Sequence, residues 1–302
     1  MTDSSYYGGI EGGGTKFVCM VGSAPDRIVD ETRFATTTPA ETLEKTLAFF
    51  EPYVHRGELA SIGFASFGPV DLNADSPTFG SVMTTPKPGW AHSDMLGPIR
   101  KAFGLPIAFE VDVNAAAWGE YTWVPENGRC NPFVYFTIGT GIGAGVIVNG
   151  QLTHGLMHPE AGHVRVPHDW AADPYAGSCP YHGDCFEGLA CGPAMNARWG
   201  QPAETLPLDH PAWDLQARYI ALALTNVICT LSPMRIVLGG GVMQQPHLFP
   251  LVRQKVVQFL NGYIHNPLFD GDLAGYIVAP SLGGRSGVLG AIALARSCAG
   301  AA

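Results

Sequence analysis

The chain has 302 residues, 46 % of them hydrophobic and 14 % charged, and 26 Asp and Glu against 17 Lys and Arg give a formal net charge of −9. That balance excludes an intrinsically disordered chain, which lacks the apolar content to offset its ordering entropy. The 17 basic residues are scattered, which excludes a general nucleic-acid binder, since phosphate contacts require clustered cations. The length suits about two domains.

The opening MTDSSYYGG has neither the basic region nor the apolar core of a signal peptide. Residues 8–21, GGIEGGGTKFVCMV, then read as strand, glycine turn, strand. Residues 42–53 show helical spacing, with Leu43, Leu47, Phe50 and Val54 on one face. An apolar strand over 59–64 ends at Ser66-Phe67-Gly68-Pro69, and another over 107–113 ends at Asp112, ahead of helix formers over 115–121. Residues 133–148, FVYFTIGTGIGAGVIV, repeat the strand–turn–strand pattern with a Thr again in the turn, a weak internal repeat of the kind two related lobes leave. Residues 160–188 have little periodicity and many Cys, His, Gly and Pro. A long buried helix is expected over 213–231; the best membrane-span candidate, residues 219–234, carries Thr225, Asn226, Thr230, Ser232 and Pro233 and falls short of the roughly 18–20 continuous apolar residues a span needs. Residues 235–243 read as strand, glycine turn, helix, and 286–296 as a closing apolar helix. The alternation makes the class α/β.

The glycine turns do not follow either common nucleotide fingerprint. Walker A needs Gly-Lys-Ser/Thr, whereas the order here is Gly14-Thr15-Lys16; Gly139–Ala144 fits G-x-G-x-x-A, but strand-like Val146-Ile147-Val148 follows where a helix should begin. Successive backbone N–H groups with a Thr hydroxyl still form a phosphate nest. A single such turn is more often a plain hairpin; two with Thr, plus a third opening a helix, favour nucleotide. Asp112, in FEVDVN, ends a strand, where it either accepts a hydroxyl proton during phosphoryl transfer or caps the following helix. Within CPYHGDC, Cys179, His182 and Cys185 are spaced by three, with His163 sixteen residues upstream. Two thiolates and two imidazoles make a closed, structural tetrahedral Zn²⁺ site; His158, His168 and Cys191 are alternative ligands. Glu160 and Glu187 flank this loop and suit hydrogen bonds from sugar hydroxyls, with the second ring nitrogen of His163 facing the same ligand. Trp90 either covers an apolar sugar face or packs in the core. Cys19, Cys130, Cys229 and Cys298 lie far apart, as free thiols in a reducing cytoplasm do.

Taken together, IEGGGTK, the D-x-N at Asp112, the E-x-G-H at Glu160, LGGGVMQQ and GGRSGVLGA resemble the ROK family (repressors, open reading frames, sugar kinases) over essentially the whole chain, and within it the bacterial fructokinases. The resemblance implies the actin-like, ribonuclease-H-like α/β fold with a cleft between two lobes. The expected division is a small lobe over 1–112, to which the closing helix 286–302 returns, and a large lobe over 113–285 with the zinc loop. It implies a homodimer that phosphorylates a hexose, D-fructose to fructose 6-phosphate, with mannose, glucose or an N-acetylated hexose as alternatives. ATP and Mg²⁺ serve the reaction and Zn²⁺ the structure, and lobe closure keeps water out. By the same resemblance Gly13, Gly14, Thr15 and Lys16 form the first phosphate loop and Gly139, Thr140 and Gly141 the second. Gly188, Gly240 and Gly241 contact nucleotide, Asp112 is the base, and Asn114, Glu160, His163 and Glu187 bind the sugar. Three departures stand out: Glu11 where many members have Asp, Val111 where many glucokinases have a sugar-binding Asn, and His182 in place of a Cys ligand. A ROK repressor carries a helix-turn-helix ahead of the first strand, and only seven residues precede Gly8 here.

Overall fold

A computed structural model describes residues 6–300. Residues 1–5 of the opening segment and residues 301–302 of the expected closing helix lie outside them. Compact packing divides the chain into two units: residues up to Arg129 with Leu152–His158 and those from Gly284 onward, and Cys130–Gln151 with Pro159–Gly283.

The first unit begins with β1 (Tyr6–Gly12) and β2 (Lys16–Ala24), an antiparallel hairpin closed by the glycine turn, followed by β3 (Arg27–Ala35). Phe17–Val21 are all buried, as suits a strand inside a sheet, while β3 is largely exposed at its edge. Helix α1 (Pro39–His55) starts on Thr38, whose hydroxyl accepts the Glu41 N–H, and buries Thr42, Leu43, Thr46 and Phe50 at helical spacing. Then come β4 (Leu59–Ser66), α2 (Gly97–Phe103), β5 (Ile107–Val111) and α3 (Asp112–Trp123). The sheet order is β3-β2-β1-β4-β5, with β1, β4 and β5 parallel.

The second unit carries β6 (Phe133–Ile138), β7 (Ile142–Val148) and β8 (Gln151–Leu152), then α4 (Phe186–Ala190), α5 (Gly192–Trp199) and α6 (Ala212–Leu231). It continues through β9 (Arg235–Gly239), α7 (Leu248–Leu260) and β10 (Ile277–Val278). Its sheet runs β10-β9-β6-β7-β8, with β6/β7 antiparallel and β6/β9 and β9/β10 parallel. Strand for strand this is the order of the first sheet, so the repeat seen in the turns extends to the topology. Among the described residues no helix is long and apolar enough to cross a membrane.

The final helix α8 (Ser286–Ala299) belongs to the first unit. It meets α3 backbone to backbone: a Cβ on Gly290 would lie 1.7 Å from the Ala115 carbonyl oxygen, and one on Gly119 2.6 Å from that of Ser286. This packing draws α3 into the first unit, so the boundary expected after residue 112 falls instead after Arg129. A second expectation also fails. The glycine turn after β9 opens one 3-10 turn, Val242–Gln244, and no α-helix, because Pro246 holds Gln245 extended (φ −98°, ψ 96°).

Candidate active site

Parallel pairing aligns the carboxyl ends of three strands: Gly12 is in register with Ser66, and Ser66 with Val111. The first glycine turn and Asp112 therefore share one sheet edge, the edge at which open α/β sheets bind ligands. In the turn, Gly13 N–H donates to the Lys16 carbonyl (2.9 Å) and the Thr36 hydroxyl to the Gly13 carbonyl (2.7 Å), leaving Gly14 and Thr15 exposed. Lys87 Nζ donates to the Gly14 carbonyl (2.5 Å), a cation at this turn that sequence reasoning passed over. Glu11, at the end of β1, is half-buried; desolvation raises its pKa, and it accepts the Val288 N–H at the start of α8.

Asp112 is the first residue of α3 and not its cap; Val111 is the N-cap, and no side chain caps the helix. One carboxylate oxygen of Asp112 accepts the N–H of Val113 (2.8 Å). Asn114, expected to touch sugar, is fully buried behind this corner: its Nδ2 donates to Glu110 Oε1 (2.9 Å), and its Oδ1 has no hydrogen-bond partner. Trp90 is 0 % exposed, packs against Phe17 and Phe67, and donates its indole N–H to the Thr37 carbonyl (2.9 Å). It is a core residue, and the sugar-covering alternative falls.

In the second unit, Gly139 N–H donates to the Gly141 carbonyl (2.9 Å), closing the turn that carries Thr140. The third glycine turn adjoins it, for a Cβ on Gly139 would lie 3.6 Å from the Gly241 nitrogen. Gly240 has φ +90° with Ile138 directly over it, a position that only glycine fills without strain. Glu187, one residue into α4, accepts the N–H of Ile142 on Oε2 (2.8 Å), next to the second turn. Gly188 follows Glu187 in α4. It is buried against the metal loop, where a Cβ would lie 1.9 Å from the Gly183 carbonyl oxygen.

His163, Cys179, His182 and Cys185 converge, with their ligand atoms within 4.8 Å of one another. The loop is drawn tight because Cys179 and Gly183 exchange backbone hydrogen bonds, with Gly183 at φ +66°. Cys179 Sγ lies 3.6 Å from Nδ1 of His163 and 3.5 Å from Nδ1 of His182, and Cys185 Sγ 3.5 Å from Nδ1 of His163. A tetrahedral Zn²⁺ with bonds of about 2.3 Å to sulfur and 2.0 Å to nitrogen separates the two atoms by roughly 3.5 Å, so the donor set fits that ion. Burial pushes the Cys185 thiol up to about 11, a cost that a bound cation reverses.

The alternative ligands are engaged elsewhere. His168 places Nδ1 3.2 Å from Asp184 and Nε2 3.0 Å from the Asp173 carbonyl oxygen, Cys191 lies 3.7 Å from the Ser178 hydroxyl, and His158 packs near Gly68, where a Cβ would lie 3.6 Å from its Cε1. The far nitrogen of His163, Nε2, is 3.9 Å from Glu187 Oε1. Glu160 is exposed at its surface, and the desolvation its neighbours impose, with the Glu187 charge, holds its carboxyl above the usual carboxylate range.

Two sheets of one strand order, each with a glycine turn closing its central hairpin, define the actin-like fold of the ROK sugar kinases. The ROK hexokinase of Thermus thermophilus shares that fold, with a TM-score of 0.77 at 22 % identity over 98 % of this chain and 100 % of that one. The model of the ROK family matches residues 7–298, and the chain belongs to this family. It is 44 % identical over 300 residues to the fructokinase of Streptococcus mutans, spanning 98 % of this chain and 99 % of that protein. Identity to the fructokinase of Zymomonas mobilis is 41 % over 301 residues, 97 % of each chain.

Proposed function

We propose that this protein transfers the γ-phosphoryl group of ATP to D-fructose, giving fructose 6-phosphate and ADP. The observation that carries the reading is Asp112, a carboxylate set by β5 and the first turn of α3 at the same sheet edge as a glycine turn. In this reading it takes the proton of the sugar's primary hydroxyl as that oxygen bonds to the γ-phosphorus and the bond to the bridging oxygen breaks. The backbone N–H groups of Gly14 and Gly141, with the Thr15 and Thr140 hydroxyls and Lys16, hold phosphate oxygens, while the N–H groups of Gly13 and Gly139 close their turns. Gly240 and Gly241 present bare backbone to the adenosine. Mg²⁺, when bound, neutralises the nucleotide phosphates.

Glu160, Glu187 and the far nitrogen of His163 accept and donate to sugar hydroxyls, and the likeness to fructokinases supports fructose as that sugar. His163, Cys179, His182 and Cys185 would hold Zn²⁺, which orders a segment with little core of its own. The exposed glycine side of Gly188 that a nucleotide contact requires is absent, so it leaves the nucleotide set.

Val111, 3 % exposed at the end of β5, offers no hydrogen bond where a glucose-specific site needs one. A coupled assay of ADP release with fructose, mannose and glucose tests the reading. The expected kcat/KM for fructose exceeds that for glucose by about ten-fold or more. A value for glucose equal to or above that for fructose overturns the choice of sugar, and no sugar-dependent ADP release overturns the kinase.

A further inference from the structure

Glu110 is a carboxylate that neither the phosphate loops nor the metal loop uses. It lies on β5 two residues before Asp112 and is 4 % exposed. A buried carboxylate is tolerated only when its oxygens are satisfied, and here both are. Oε1 accepts the N–H of Val111 (2.9 Å) and the side-chain amide of Asn114 (2.9 Å). Oε2 lies 2.7 Å from Nε2 of His154. The first two contacts span the β5–α3 corner on either side of Asp112, since Val111 is the N-cap of α3 and Asn114 is in its first turn. One carboxylate oxygen therefore sets the strand end and the helix start in a single arrangement.

His154 comes from a separate stretch, Leu152–His158, which packs with the first unit. The same stretch touches the sheet edge a second time at His158. A Cβ on Gly68, in the loop after β4, would lie 3.2 Å from the Val111 side chain and 3.6 Å from Cε1 of His158. The imidazole of His154 is half-exposed, and its hydrogen bond to Glu110 raises its pKa, which favours the cationic, doubly donating ring.

We propose that Glu110 and His154 form a positioning pair for phosphoryl transfer: His154 holds Glu110, and Glu110 locks the corner from which Asp112 reaches the substrate hydroxyl. This rests on the kinase reading above. Neither residue touches the reacting atoms. The pair acts by keeping the base within a narrow range of positions, and a displacement of about 1 Å at a reacting group costs up to about 100-fold in rate. Asn114 fits the same account, as a buried strut whose amide orientation is dictated by Glu110.

The test compares steady-state kinetics of Glu110→Gln, His154→Ala, His154→Gln and the double variant Glu110→Gln/His154→Ala. The expected result is a kcat for fructose lowered about ten-fold in Glu110→Gln and in His154→Ala. The KM for ATP should stay within about two-fold, because the glycine turns are untouched. His154→Gln, which keeps a donor for Oε2, should recover most of the loss, and the double variant should fall little below the worse single one, as coupled residues do.

A kcat for His154→Ala within about two-fold of the unaltered protein overturns the pair, as does a double variant whose loss is the product of the single losses. Should Glu110→Gln fail to fold, the comparison of Ala with Gln at half-exposed His154 decides: equal damage from both overturns the proposal. Absence of hexose phosphorylation by the unaltered protein removes the kinase reading and the pair together. A fully active unaltered protein with fully active variants removes the pair alone.

Discussion

Asp112 stands where a strand turns into a helix, and two roles compete for a carboxylate there. Capping is the common one, but the cap position is held by Val111, one residue earlier, and α3 has no side-chain cap. The backbone at the corner is served by Glu110 instead, which accepts the Val111 N–H. Asp112 stands at the carboxyl edge of the sheet, where one of its oxygens accepts the Val113 N–H, and the kinase reading gives its carboxylate the further role of taking a proton. Asp112→Asn keeps the shape and removes the ability to take a proton, so kcat should fall about 10²–10⁴-fold while the thermal midpoint and the KM for ATP change little. A variant with near-normal turnover in a steady-state assay would make Asp112 a structural residue.

Elements in the first unit are held by close approach as much as by apolar volume. Helix α8 lies across the sheet and against α3, and the contacts are made at glycines: a Cβ on Gly63 would lie 1.9 Å from the Ala291 carbonyl oxygen, and one on Gly290 1.7 Å from that of Ala115. Neither neighbour is a side chain that can rotate away; each is helix backbone. Gly290→Ala must therefore push α3 and α8 apart, and its expected cost is about 3 kcal/mol, at the upper end for overpacking. Gly284→Ala is the control, because a Cβ there meets nothing within 4 Å, and its effect should stay within about 0.5 kcal/mol. Urea denaturation measures both. Equal midpoints for the two variants would mean that the helices separate at no cost.

Stability and substrate binding are joined through the metal segment. Residues 160–188 contain one 3-10 turn and the first turn of α4, so a metal held by the four candidate ligand side chains is expected to contribute to their order. Glu187 connects that segment to the second glycine turn through Ile142, and His163 sits beside Glu187. Loss of zinc should therefore loosen the residues read as sugar contacts before those read as nucleotide contacts. Cys179→Ser is expected to lower bound zinc and the thermal midpoint. It should also raise the KM for fructose by about ten-fold, against a change within about two-fold for ATP. Elemental analysis and paired KM measurements check this. A zinc-free protein with full activity and an unchanged midpoint would refute the assignment of the cluster.

Most of the long elements were legible in the sequence because their signal is local, although α7 was passed over despite buried Leu248, Val252, Val256 and Leu260 at helical spacing. The strands around the two Thr-bearing turns, α1, α6 and α8 all follow from apolar residues recurring at the period of one element. The convergence of the candidate metal donors was legible for a related reason: Cys179, His182 and Cys185 are close along the chain, and their chemistry leaves few alternatives. Edge strand β3 and the short helices α2, α4 and α5 were not, since an exposed strand or a helix of one or two turns carries too few apolar positions to show a period.

What stayed hidden depends on which distant residues meet. The choice of His163 over His168 came from Asp173 and Asp184, which claim the second ring. Trp90 became a core residue by packing on Phe17 and Phe67, and the unit boundary moved past α3 because α8, from the far end of the chain, packs on it. Glu110 and His154 are 44 residues apart, and neither has a motif. A single sequence records the preferences of each segment. The pairing of segments is a property of packing and loop closure over the folded chain, and there these contacts, and the placement of Asp112 with them, were decided.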